Sequence, residues 1–591
     1  MTAVPALSAW PPVTGSAARH APALLDWAWR QDAACSRLCL LTGGPKTGKS
    51  HLLAWLLAGS DGDPRTTIHA TLPAAGQTAL ALAWELGRQL GYGPLSPAGV
   101  IDRLAADPRP VRILVPDLHR SGRGPTDLPA ADPCTVFDEL LAPLLALPHV
   151  RAAIEVGQLR LPGTDAALVL HLGPRVDTLD QGGGTTVLRE PPADRRPIST
   201  ADETAGPNAA PAVDWRAAPA RDREQALDEA LAAGTAPQLL RDPGFLVHGS
   251  ATAITATLAD PRITVPKKLR TVWDRAAPQL SSGELADTER AALLHLAALG
   301  TDARLCELLR PLAQANPWTA QWSRPGRRVG AMTLLPSTDT PGVPTVTSDP
   351  LGRMHLHDAT TGAVVRRLST DPRLRPVQLA PVAPDCVLAL EADGTIHAVP
   401  IPPSTTAPVG ADFPALHHNA LRLAPEGGRA TAVSGNGSAV VVGDAQGRIH
   451  YWSLADLYAG PRTSTPHQSP ITALACLSLP ETGVTLVISG GLDGVVRLWD
   501  SASGDTMPVP VERRNSVPTA LALAHTEAGP VLAVAWADQR LHLWQIFEGR
   551  MAVMPMLHAA DALDLTAGGL LLHGGRHGAS AMSISLSRVW A

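Results

Sequence analysis

Gly43-Gly44-Pro45-Lys46-Thr47-Gly48-Lys49-Ser50 has the form G-x-x-x-x-G-K-S, with the apolar run Leu38-Cys39-Leu40-Leu41 before it and Leu52-Leu53-Ala54-Trp55-Leu56-Leu57 after it. A strand, a glycine loop and a helix in that order bring backbone N–H groups and the positive end of a helix to one point, which suits a phosphate. All eight residues from Gly43 to Ser50 are expected to cradle the phosphates of ATP or GTP, with Lys49 on the β- and γ-phosphates and Ser50 on Mg²⁺.

Outward from this loop, short apolar runs alternate with helix-periodic segments. Strands are expected at 38–42, 66–71, 111–116, 150–156 and 166–172, and helices at Gln77 to Leu90 and Thr135 to Leu147. That alternation predicts an α/β nucleotide-binding fold, a parallel sheet with helices on both faces. The third run, Val111-Arg112-Ile113-Leu114-Val115-Pro116-Asp117, ends in a carboxylate. Asp117 is therefore expected at the strand's carboxyl end beside the loop, orienting Mg²⁺ through water or Ser50. Hydrolysis also needs a group to position water, and the residues that follow are Leu118-His119-Arg120 rather than a second acid. His119 is the candidate base, set against a plain loop histidine, and slow turnover is expected. Gln158 and Arg160, past the fourth run, are candidates to sense the γ-phosphate.

The loop, the strand order and the Asp117 strand together resemble the STAND class of signal-transduction ATPases, relatives of the AAA proteins. The resemblance continues through His69 to Gly76, Asp242-Pro243-Gly244-Phe245-Leu246-Val247 and Leu309-Arg310-Pro311-Leu312-Ala313, and covers most of 35–325. It implies an ATP-dependent switch in bacterial signalling, self-recognition or defence. One departure is that no complete winged-helix module, and no histidine from one to sense the β-phosphate, is found before residue 325, which implies weaker coupling of nucleotide to domain opening.

With 591 residues the chain is too long for one core. We divide it into an N-terminal segment (1–34), the nucleotide-binding core (35–175), a flexible linker or insertion (176–222), a helical region (223–315) and a repeating region (316–591). The linker reading rests on 181–221, which is rich in Gly, Pro, Ala, Asp and Arg without periodicity. Six dispersed cysteines without a C-x-x-C pair give neither a disulfide framework nor a zinc site. A net charge of −5 argues against a nucleic-acid or acidic-membrane binder. No leader and no long apolar span is read, so a cytoplasmic protein is expected.

From about residue 326 the pattern changes to short strands and turn residues. Six hairpins align: Val346 to Asp358, Leu388 to Pro400, Val440 to Ser453, Val487 to Asp500, Leu532 to Gln545 and Leu571 to Ile584. Their turns, at Gly352, Gly394, Gly447, Gly494, Gln539 and Gly578, recur every 40 to 50 residues or so, the period of a β-propeller. Ser489 to Asp500 resembles a WD repeat, with Trp452 and Trp544 in the place of Trp499. Six blades are expected, with seven as the alternative, and Trp318-Thr319-Ala320-Gln321-Trp322 is expected to close the last blade as its outer strand. The column His355, His397, His450, Arg497 and His542 is read as a polar strand position, since equivalent sites on successive blades are too far apart to share one metal. A propeller of this kind implies a protein partner, and self-association is an open possibility. The alternative to a switch is a scaffold whose nucleotide domain is catalytically inactive.

Overall fold

The computed structural model describes residues 13, 15–30, 35–60, 66–122, 132–173, 213–336, 343–401, 428–456, 459–479, 481–501, 504 and 506–590. Most of the expected linker lies outside them.

The first unit is a five-stranded parallel sheet of β1 (Leu38–Thr42), β2 (Ala70–Thr71), β3 (Val111–Val115), β4 (Val150–Gly157) and β5 (Leu168–His171), in the order β2-β3-β4-β1-β5. Central β4 is buried along its whole length, as expected of a strand covered on both faces. Its alternate residues Ala152, Ile154 and Val156 share a core with α3 (Ala79–Gln89), α4 (Pro97–Ala105) and the helical stretch Pro133–Val136, Phe137–Leu141 and Ala142–Ala146. Ala153 points the other way, into a core with α1 (Ala21–Trp29) and α2 (Lys49–Gly59). By the same alternation Glu155 faces α2. Strands and helices fall where the sequence puts them, with two additions: α1, inside the segment assigned no structure, and α4. The second strand is shorter than expected because only Ala70 and Thr71 pair with β3.

A helical region follows, from Ala220–Ala232 to Ala303–Ala313. Its helices Ala251–Ala259, Lys267–Leu280 and Asp287–Ala298 share one apolar core with Trp84 of α3 and with the fifth and sixth blades. Polar contacts span the same junction. Gln279 donates to Met556 O at 2.8 Å, and Gln539 donates to Pro94 O at 3.2 Å. The helical region is therefore the mortar between sheet and propeller.

The C-terminal half is a six-bladed propeller. Blades 3, 4 and 5 each have four antiparallel strands, and blade 2 has three among the described residues. All six expected turn residues adopt positive φ, including the non-glycine Gln539 at 64°. Hairpins that must turn tightly need this conformation, which explains glycine at the other five sites. β6 (Trp318–Pro325) pairs antiparallel with Gly578–Ile584, so a strand from before the first blade completes the sixth. Trp318 is 2% exposed and anchors that closure.

Candidate functional site

The loop between β1 and α2 has the backbone its glycines allow. Gly43 sits at φ 135°, Lys46 at 59° and Gly48 at 93°. A Cβ on Gly43 would fall 2.0 Å from Leu172 O, so only glycine fits between the loop and β5. The start of the loop is tied to β4, because Gly43 N–H donates to Gly157 O at 2.8 Å. Gly48 caps α2 without a side-chain bond. The first N–H groups of an eleven-residue helix therefore point out at the loop, a ready donor set for an anion.

Lys49 is buried at 4% exposure, and its ammonium donates to Gly44 O at 2.7 Å and Gly43 O at 3.1 Å. Its counter-charge is Glu155, 3% exposed, with Oε1 at 3.7 Å. Ser50 Oγ donates to Glu155 Oε2 at 2.8 Å. Removing a carboxylate and an ammonium from water costs several kcal/mol each, so two such groups in one place must compensate each other. Glu155 was not among the residues singled out from the sequence, yet it touches both functional side chains of the loop.

Asp117 lies two residues past the end of β3, at φ 57°, and caps the short 3₁₀ turn Leu118–Arg120. Strand register places Val115 beside Ile154, so Pro116, not Asp117, is level with Glu155. The acid nearest the Ser50 hydroxyl thus comes from β4, while Asp117 approaches from the side. Asp117, His119 and Glu155 can still bring one ligand atom each to within 4.8 Å of one another. The His119 ring lies against Gly157, where a Cβ would come within 3.0 Å of it. Its Nδ1 is buried and has no partner among the described residues. The two carboxylates suit a hard cation such as Mg²⁺, and the orphaned nitrogen is free for a further polar contact. Arg120 is 61% exposed and 3.9 Å from Asp117. Gln158 and Arg160 are both exposed beyond β4 and make no side-chain contact with the loop that the structure records.

The polar column of the propeller resolves into local pairs. His397 meets Glu391 at 2.9 Å, His450 meets Asp444 at 3.2 Å, and His542 meets Glu512 at 2.7 Å. The first two pairs each lie within one blade, and the third joins blade 5 to the outer strand of blade 4. In blade 4, His467 bridges Ser489 at 2.9 Å and Asp493 at 3.2 Å beneath buried Trp499. These are braces between strands and loops.

No family model matches the chain, and no curated protein matches it. Among solved structures it is similar to the computationally designed Ika8 protein, at 21% identity and a TM-score of 0.27, over 43% of this chain and 71% of that one. No described helix is long and apolar enough to cross a membrane.

Proposed function

We propose that the protein is an ATP·Mg²⁺-binding switch or scaffold in which the α/β unit reads the nucleotide and the propeller engages a protein partner, in a bacterial signalling or defence setting inside the cell. The observation that carries this reading is the uncapped end of α2 behind a glycine loop with a buried Lys49. Phosphate oxygens would take over the Lys49 protons now given to Gly43 O and Gly44 O. Ser50, Glu155 and Asp117 are the residues that would hold Mg²⁺, whose chemistry is to neutralise charge on the phosphates. Glu155 links the two events, since any group that draws Lys49 or Ser50 away from it alters a residue in the central strand. The helical region, which shares a core with both halves, supplies the route from the nucleotide to the propeller.

Turnover is slow in this reading. Among the described residues no arginine reaches the loop, and the exposed Arg120 is held toward Asp117. That same observation favours the second reading, a scaffold stabilised by nucleotide without hydrolysis. A steady-state turnover assay separates readings. We expect a rate well below about 1 s⁻¹; a rate on the order of 1–10³ s⁻¹ that disappears in Lys49→Ala would make this a working ATPase.

A further inference from the structure

The first blade departs at one position from the three blades that carry a tryptophan column. Five residues past the hairpin turn, blades 3, 4 and 5 carry tryptophan (447 to 452, 494 to 499, 539 to 544), whereas blades 1, 2 and 6 carry His357, Val399 and Ser583. Each of these tryptophans packs on the blade before its own: Trp452 with blade 2 residues, Trp499 with blade 3 and Trp544 with blade 4. Around the ring, the blade before blade 1 is blade 6. There, with the indole replaced by a smaller imidazole, a cavity of about 680 Å³ opens between the two blades.

The cavity is apolar at its back and cationic at its rim. Trp322, Met332 and Leu572 come from the packed seam of blades 6 and 1. Five arginines line it against one carboxylate, Asp349. Only Arg353 uses that carboxylate, at 2.7 Å. Arg324, Arg327, Arg328 and Arg367 have no acidic partner among the described residues. Unpaired guanidinium groups gathered on one cleft repel one another and gain when an anion arrives.

Inside the cleft, Thr345 is 2% exposed and its Oγ1 has no hydrogen-bond partner among the described residues. A buried hydroxyl without a partner costs free energy that a ligand acceptor would return. His357 is oriented by Thr347 Oγ1 at 2.9 Å and Gly362 O at 3.3 Å. Burial, with Arg324, His355 and Arg327 adding to it, holds His357 below its ordinary pKa against the Gly362 bond. Burial disfavours charge of either sign there, but the Arg324 and Arg327 charges that add to the shift favour an anion.

We propose that the cleft between blades 1 and 6 is a binding site for a small phosphorylated ligand with an aromatic or apolar body. Arg324, Arg327 and Arg367 hold the phosphate, Thr345 gives it a buried hydroxyl, and the Trp322 seam receives the body. A volume of this size suits a small molecule rather than a folded partner, and four unpaired cations call for a dianion rather than a single carboxylate.

The test is calorimetric titration of 1-naphthyl phosphate into the full chain carrying Lys49→Ala, so that the phosphate loop does not contribute. Saturable one-to-one binding is expected, with 1-naphthalenemethanol and inorganic phosphate each binding at least about tenfold more weakly. Arg327→Gln, at an exposed side chain, should weaken binding about tenfold, and Arg324→Gln with Arg367→Gln should remove it. His357→Trp should fill the cleft and abolish binding while the melting temperature holds or rises. No saturable binding, or binding unchanged by Arg327→Gln, overturns the proposal. So does undiminished binding in folded His357→Trp; if that variant does not fold, the arginine variants decide.

Discussion

In the α/β unit, the groups that carry chemistry converge: eight consecutive residues and one acid from β4 meet around a buried ion pair. In the propeller, similar residues are dispersed: His397 and His450 are each matched to an acid of their own blade, and His542 to one on the adjoining blade. The same residue types therefore act as a site in one region and as braces in the other. What separates them is whether the fold brings donors from different elements to one unsatisfied point. By that criterion the propeller becomes chemically interesting at the seam of blades 1 and 6, where arginines of both blades line one cleft beside His357.

The largest expected effect concerns closure. A propeller fragment beginning at residue 316 retains β6, whereas one beginning at 326 leaves Gly578–Ile584 as an open edge. Both fragments lose the helices that pack on blades 5 and 6, so the comparison is relative: the shorter one should be less soluble and melt lower than the longer one. Equal solubility and melting temperature would mean that the ring does not depend on this strand.

Next comes the loop. Gly43→Ala places a Cβ 2.0 Å from Leu172 O at a φ of 135°, so either the loop or β5 must move. We expect a loss of about 3–5 kcal/mol in chemical denaturation, on the scale of the larger single-substitution effects, together with loss of nucleotide binding. Unaltered stability would show that the loop is not held as tightly as the geometry implies.

Much of this contrast was legible in the sequence. The loop, the five strands and the six hairpins were visible because phosphate loops and tight turns constrain residue type locally, and Gly352 through Gly578 mark the propeller turns. Glu155 was not. It sits in the fully buried run Val150–Gly157, where an acid reads as an interruption of a strand, and only strand parity, with Ala153 on the α2 side, could have aimed it at Lys49. The helices Ala251–Ala259 and Lys267–Leu280 were also missed as elements. The first is mostly Ala and Thr, and its pattern is apolar nearly all round because it lies inside a shared core. Gln158 and Arg160 are legible only by their strand-end position, and both side chains are exposed beyond β4.

A smaller effect distinguishes the propeller by pH. Burial, with Arg275 adding to it, pushes His573 down to about 4 from an ordinary value of 6.5. Its folded pKa is depressed, so the neutral ring contributes stability above about pH 6.5 that is lost as the pH falls toward 4, up to roughly 3 kcal/mol. Asp564, pushed up to about 6 by burial, acts in the opposite sense, since its neutral form is favoured below that pH. Because the two groups oppose each other over the same range, the difference between chains is the readout: from pH 6.5 to 4 the denaturation midpoint should fall more, or rise less, in the wild-type chain than in His573→Gln; identical slopes would contradict the burial argument. The smallest effect is expected at Gly437, at φ 81° with open space around its missing Cβ, where alanine should cost about 1 kcal/mol.

The most direct test of the account is calorimetric titration of ATP, with and without Mg²⁺, into the wild-type chain and Lys49→Ala. Saturable binding that Mg²⁺ tightens, and that falls at least about 100-fold, or about 2.7 kcal/mol, in Lys49→Ala, is the expected result. No binding to the wild-type chain, or equal binding to both, would contradict it.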